Sequence, residues 1–247
     1  MLGSMGVRSV QSSKAALGAA MLAALGLAGC PASRRAAPPP VPAVPPAEVA
    51  PPVAGAIRYR IVGDESLVVV LAYRGGTLAS FGHNHVIASR ALIGVIDLRE
   101  PLTASTLDLY LPVAAFTVDE AELRSGRGPE FAAAVPDSAR EGTRRNMLGE
   151  SLLDAARFPA IVVRAVSLTG GPGTFAARLD VNVRGESHSL VVPVQVDRRG
   201  AERLHVTAKF TVEQSALGLT PFSVMLGALQ VEDTLGVEVD LSARRVP

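Results

Sequence analysis

The stretch "TLASFGHNHVIASR", residues 77–90, holds two of the chain's four histidines, His83 and His85, one residue apart and flanked by Phe81 and Ile87. Imidazoles at that spacing can hold a metal, move protons, or sit as hydrogen-bonded polar groups in an apolar wall. If 77–87 is a strand, both rings point the same way as Ala79, Phe81 and Ile87, the apolar side. His188 shares a face with Leu190, Val192, Val194 and Val196, whereas His205 alternates with Leu204 and Val206 and looks outward. His-x-His plus a distant His is the ligand set of a three-histidine catalytic zinc site, so a metal-dependent hydrolase using His83, His85 and His188 is one reading. The stronger reading is a satisfied polar patch on an apolar face without metal: Gly82 can break the alternation, and no acidic residue is placed by the sequence to orient the rings.

Other catalytic patterns are absent: there is no G-x-S-x-G elbow, phosphate-cradling glycine loop or dinucleotide fingerprint. Ser187 and His188 are neighbours on a strand and point to opposite faces, so they form no dyad. The expectation is a protein that is not an enzyme and requires no cofactor.

The elements that must position these residues follow a period of two. "FAARLDVNV" puts Phe175, Ala177, Leu179, Val181 and Val183 on one face, and "RLHVTAKFTV" does the same with Leu204, Val206, Ala208, Phe210 and Val212. Further strands are expected at 66–73, 91–98, 105–113, 159–168, 187–197 and 232–243, separated by "TGGPG", "RGES" and "RRG". Many hairpins in one domain argue for an all-β barrel or sandwich, and no long helices alternate with strands to build a parallel sheet. One interruption, from Asp119 to Pro159, predicts two short helices over the sheet, with a capping-type Ser151 to Asp154 spacing and apolar Met147, Leu148, Leu152 and Leu153 near one side. Such an insertion is a lid or a plug. The "SGRGPEF" segment at 125–131 reads as a solvated linker.

Before the domain come two other segments. Residues 1–29 carry Arg8, Lys14 and an apolar run too short for a permanent membrane span, the form of an export signal. The run ends in Leu27, Ala28, Gly29 and Cys30, which resembles the lipobox of bacterial lipoproteins, where cleavage leaves the cysteine lipidated. Cys30 is the single cysteine, so no internal disulfide forms. Residues 30–55 are then the lipidated cysteine and a Pro/Ala-rich tether; the 25 residues 31–55 could extend to roughly 75 Å. Residues 56–247 form one domain. Taking Arg8 and Lys14 from the 24 basic residues leaves 22 against 23 acidic ones, which supplies no electrostatic reason to expect nucleic acid.

The domain resembles the YceI family. The matching stretches are "YRIVGDESLVVVLAY", "FGHNH" followed by "ALIGVIDL", "RRNMLGESLLDAARFPAIVV", "LDVNVRGESHSLVVPVQV", "FTVEQSALGL" and "DTLGVEVDLSA". The chain departs from the family pattern in two places: Arg144, Arg145 and Asn146 stand where an Arg-Asp pair is usual, and His83 with His85 replaces a plain H-x-G. The resemblance implies an exported, antiparallel lipocalin-like β-barrel of about eight strands with a short helical insertion, holding a polyisoprenoid or another long apolar chain in its lumen.

Small inward residues leave room for such a chain, which gains about 0.8 kcal/mol per buried methylene. The candidate ligand-binding residues are Phe81, Ala177, Leu179 and Phe210 along the wall, with His83 and His85 for a headgroup. The expected function is an envelope lipoprotein that carries or stores a lipid such as an isoprenoid quinone, anchored through Cys30 to the outer membrane and facing the periplasm. The metal-dependent enzyme and a ligand-free interaction scaffold with a filled barrel are the alternatives.

Overall fold

The computed structural model describes residues 53–247. The segments expected to be an export signal, a lipidated Cys30 and a tether fall, up to residue 52, outside the described residues.

Eight antiparallel strands close a barrel: β1 (Ile57–Ile61), β5 (Ile93–Leu98), β6 (Thr106–Pro112), β8 (Ala160–Gly170), β9 (Thr174–Val183), β10 (Glu186–Arg199), β11 (Arg203–Glu213) and β14 (Thr234–Arg245). Closure is made where Ile61 pairs with Ala243 and Arg60 with Arg244. Farther along the same edge, Gly236 to Asp240 of β14 pair instead with β2 (Leu67–Ala72). From there β4 (His85–Ser89) and β7 (Thr117–Val118) extend the sheet. A separate small sheet joins β3 (Arg74–Gly75), β13 (Leu229–Val231) and β12 (Ser223–Val224).

The strands form where apolar and polar residues alternate. In β9 and β11 every second residue, from Phe175 to Val183 and from Leu204 to Val212, faces the interior as the alternation requires. Tight seams need small residues. A Cβ on Gly94 of β5 would meet the Asp108 carbonyl oxygen at 2.3 Å, so only glycine permits that strand pairing. Tyr59, Ile61 and Ala243 pack with the residues around the lumen but line no open space, so this part of the barrel is filled. The fully buried Tyr59 hydroxyl donates to the Ala201 carbonyl at 2.9 Å, satisfying its one polar atom.

The insertion contains α1 (Ala121–Arg124), a 3₁₀ turn at Pro129–Phe131 and one longer helix, α2 (Asp137–Leu148). The second helix expected around Ser151 does not form. Gly149 takes an extended conformation, and the chain turns back on itself: Asp154 N–H donates to the Gly149 carbonyl at 2.8 Å and Leu153 N–H to that of Met147 at 3.1 Å. A turn suits the sequence better than a helix there because it directs both Leu152 and Leu153 into the barrel mouth. The segment 125–131 is solvent-exposed at five of its seven residues, as expected of a solvated linker, but it is pinned to the fold at Arg127 and Phe131. Phe131 is buried, edge-on to Tyr73 with ring centroids 5.7 Å apart, and Arg127 pairs with Glu238 at 2.9 Å.

Candidate functional site: a lumen in two compartments

The barrel encloses an inner cavity of about 230 Å³. Its walls include Ala177, Leu179 and Phe210, the three strand residues expected to line the lumen, and among its lining residues only Ser105 and Thr106 have polar side chains. An outer cavity of about 290 Å³ lies toward the lid. The two share Val70, Phe116, Ile161, Val212, Leu217 and Val237 as walls, so they adjoin within one barrel interior. The outer compartment differs in chemistry: Arg74, His83, His85, Thr143, Asn146 and Gln230 reach it among its apolar residues. Such a graded cavity, dry inside and sparsely polar at the mouth, suits an amphipathic molecule with a long apolar tail.

The polar end is organised by Asp119, which the sequence reading did not single out. Its side chain is fully buried, and its Oδ2 lies 2.6 Å from His85 Nδ1. Its Oδ1 accepts the Val86 N–H at 2.9 Å and an Arg124 N–H at 2.5 Å. Burial pushes the carboxyl up, but the hydrogen bonds from His85 and Val86, the His85 charge and Arg124 outweigh it, holding Asp119 below the usual aspartate range. An ionised carboxylate only accepts, so His85 donates its Nδ1 proton to Asp119. The ring is thereby fixed, with Nε2 turned to the lumen 3.2 Å from the Thr143 hydroxyl on α2. Arg124 completes the support, donating to the carbonyls of Asn84, Phe131 and Ala133. Asp119 lies 34 residues from His85 and takes a left-handed backbone, φ 55°. Neither the separation nor a lone Asp after "FTV" marks it in the sequence.

The lid is held by hydrogen bonds as well as by packing. Arg144 of α2 donates to the Phe116 carbonyl at 2.9 Å and the Ala114 carbonyl at 2.8 Å. Within the three-residue departure from the family pattern, Arg144 is thus a strut for the lid, while Asn146 faces the lumen.

Two expected positions are corrected. Phe81 is 76 % exposed and lines neither compartment. The segment 77–87 is not one strand: residues 79–81 make a 3₁₀ turn closed by Gly82 N–H to the Ala79 carbonyl, and only from His85 does the chain pair as β4. The alternation that placed Phe81 beside His83 therefore does not run through Gly82. His83 and His85 still meet, with ring centroids 6.3 Å apart. His188 lines neither cavity; its ring lies beside Gly218, with its Nε2 buried and unpartnered. The three histidines are not gathered: among the described residues no group of three or more His, Cys, Asp or Glu could hold a metal. His205 is on the outer face, 2.8 Å from Asp240.

The closed antiparallel barrel with a lidded apolar lumen places the protein in the lipocalin-like class of binding barrels. The family model described as the YceI-like domain matches residues 79–243, and the chain belongs to that family. Among solved structures it is similar to Burkholderia cenocepacia BcnA, with 12 % identity over 74 % of this chain and 98 % of that one, at a TM-score of 0.55. It is also similar to a polyisoprenoid binding domain from Saccharophagus degradans, with 12 % identity over 77 % and 99 % of the two chains and a TM-score of 0.54. No curated protein matches it significantly.

Proposed function

We propose that this protein binds a long-chain apolar lipid, a polyisoprenoid or an isoprenoid quinone, as a tethered carrier or store in the bacterial envelope. The observation that carries the reading is the inner cavity of about 230 Å³ with almost no polar side chain, adjoining a compartment where polar groups gather. The tail occupies the inner compartment, where each buried methylene contributes about 0.8 kcal/mol. The head lies at His83 and His85, so Nε2 of His85, held in place by Asp119, sets selectivity more than strength. The name of the Saccharophagus degradans neighbour supports the ligand class. The lipobox-like run ending at Cys30 and the Pro/Ala-rich tether support attachment to the outer membrane facing the periplasm.

The test is native mass spectrometry and solvent extraction of the protein purified from its own membranes. A co-purifying prenyl lipid, and a melting temperature that rises on adding one, are the expected results. Recovery of no apolar molecule, with no thermal shift on adding prenyl lipids, would leave the ligand-free scaffold in its place.

A further inference from the structure

Seven large apolar side chains are exposed among the described residues, and four of them, Phe81, Val224, Met225 and Leu226, lie on two adjoining segments. These are the 3₁₀ turn Ala79–Phe81 and the segment 223–227, in which β12 runs into the 3₁₀ turn Met225–Gly227; they are joined where Leu78 N–H donates to the Ala228 carbonyl at 2.7 Å. Leu226 is fully exposed and Met225 is 69 % exposed. Met225 and Leu226 both take left-handed backbone, φ 52° and 56°, a conformation costly for bulky residues and one that glycine or asparagine would adopt more readily. Large apolar residues are thus held outward on a loop that gains nothing from them inside this chain.

We propose that this tip is the face by which the protein docks on a lipid bilayer to load and unload its lumen, an inference that rests on the lipid-binding reading above. Two observations choose a bilayer as the occupant. The first is continuity: Gly82 and His83, next to Phe81, and Leu229, Gln230 and Val231, just after the second turn, line the outer compartment, so the exposed tip is the outside of the cavity's own rim. A tail sliding from membrane to lumen across this rim stays among apolar side chains. The second is charge and reach. No acidic or basic residue occurs from Gly75 to Gly82 or from Ser215 to Val231, so these two segments bring no charge of their own into the interface, and Glu232 stays behind them against Gly75. Arg74 stands at its base, bonded to the Gly82 carbonyl. The longest strand, the 14-residue β10, spans about 46 Å. On the reading above, the proposed 25-residue tether at about 3.1 Å per residue exceeds that length, so an anchor at Cys30 would not dictate which face meets the membrane, and the tip decides it.

The chain has no tryptophan, so Phe81→Trp and Leu226→Trp each give the whole protein one indole reporter, and Val191→Trp, at an exposed apolar site on β10, serves as control. With vesicles of phosphatidylethanolamine and phosphatidylglycerol, emission from the two tip reporters shifts to shorter wavelength and is quenched by brominated acyl chains, while the control is unchanged. Equal, water-like emission from all three overturns the proposal, and leaves the patch to a protein partner. The variant Phe81→Ser/Met225→Ser/Leu226→Ser separates docking from binding. It is expected to keep wild-type affinity for a prenyl alcohol delivered from cyclodextrin, yet take it up from vesicles about tenfold more slowly. Uptake from vesicles at the wild-type rate refutes docking; wild type that binds the alcohol from neither source refutes the lumen reading, while the quenching result still decides docking.

Discussion

Ala177→Trp tests the lumen with one substitution. Ala177 is 2 % exposed, faces the inner cavity from β9 and pairs with Val192 of β10. An indole built there enters a space of about 230 Å³, so it displaces ligand instead of wall. If it excludes one isoprene unit of five carbons, the tail loses about 4 kcal/mol of burial, close to a thousandfold in Kd. Because the space is open, the fold should suffer less than the 1–3 kcal/mol, roughly, that overpacking costs a filled core. The matched control is Val191→Trp, one residue from Val192 but on the outer face and 69 % exposed. Titration with prenyl alcohols of increasing length, followed by thermal shift, reads both quantities. Affinity should rise with length in wild type and level off once the lumen is full, and Ala177→Trp should level off at a shorter chain. Wild-type binding by a folded Ala177→Trp protein would show that the tail lies elsewhere; a protein that no longer folds would show that the inner cavity is not open.

Three further outcomes follow from the polar end, the lid and the anchor. Asp119 is held below its usual range, so its contribution is fully present above the ordinary aspartate value of about 3.9 and is lost as pH falls through the lower folded value. Asp119→Asn, which leaves Arg124 without its buried counter-charge, should cost about 3 kcal/mol near neutral pH and flatten the acid side of the stability profile; urea melts from neutral to acidic pH that run parallel for the two proteins would refute this. Arg144→Ala removes two hydrogen bonds between lid and barrel, costs about 2 kcal/mol and should speed ligand release in stopped-flow exchange without changing which lipid is preferred. Cys30→Ser should move the protein from the membrane to the soluble periplasmic fraction, and unchanged fractionation would remove the lipid anchor from the proposal.

The barrel wall was legible because its signal is local. In β9 and β11 every second residue is apolar over the whole strand, and pairing partners share that period, so parity alone put Ala177, Leu179 and Phe210 on the lumen. The same rule misplaced Phe81, because glycines at 75, 76 and 82 let the chain fold into a turn whose hydrogen bonds are internal, and alternation carries no information across it. Asp119 was illegible for a different reason. Its importance lies in contacts with His85, Val86 and Arg124 that exist only after β4 and β7 have paired; before that it is one acidic residue among 23. A buried carboxylate carries a large desolvation cost, and here it is offset by three donors from three separate positions, so the arrangement is stable only if all of them are in place. That dependence explains why His85 keeps one orientation at the edge of an apolar cavity. A histidine with a free ring could face either the ligand or the solvent, whereas one locked between Asp119 and the Thr143 hydroxyl presents the same nitrogen, at the same depth, to every molecule that enters.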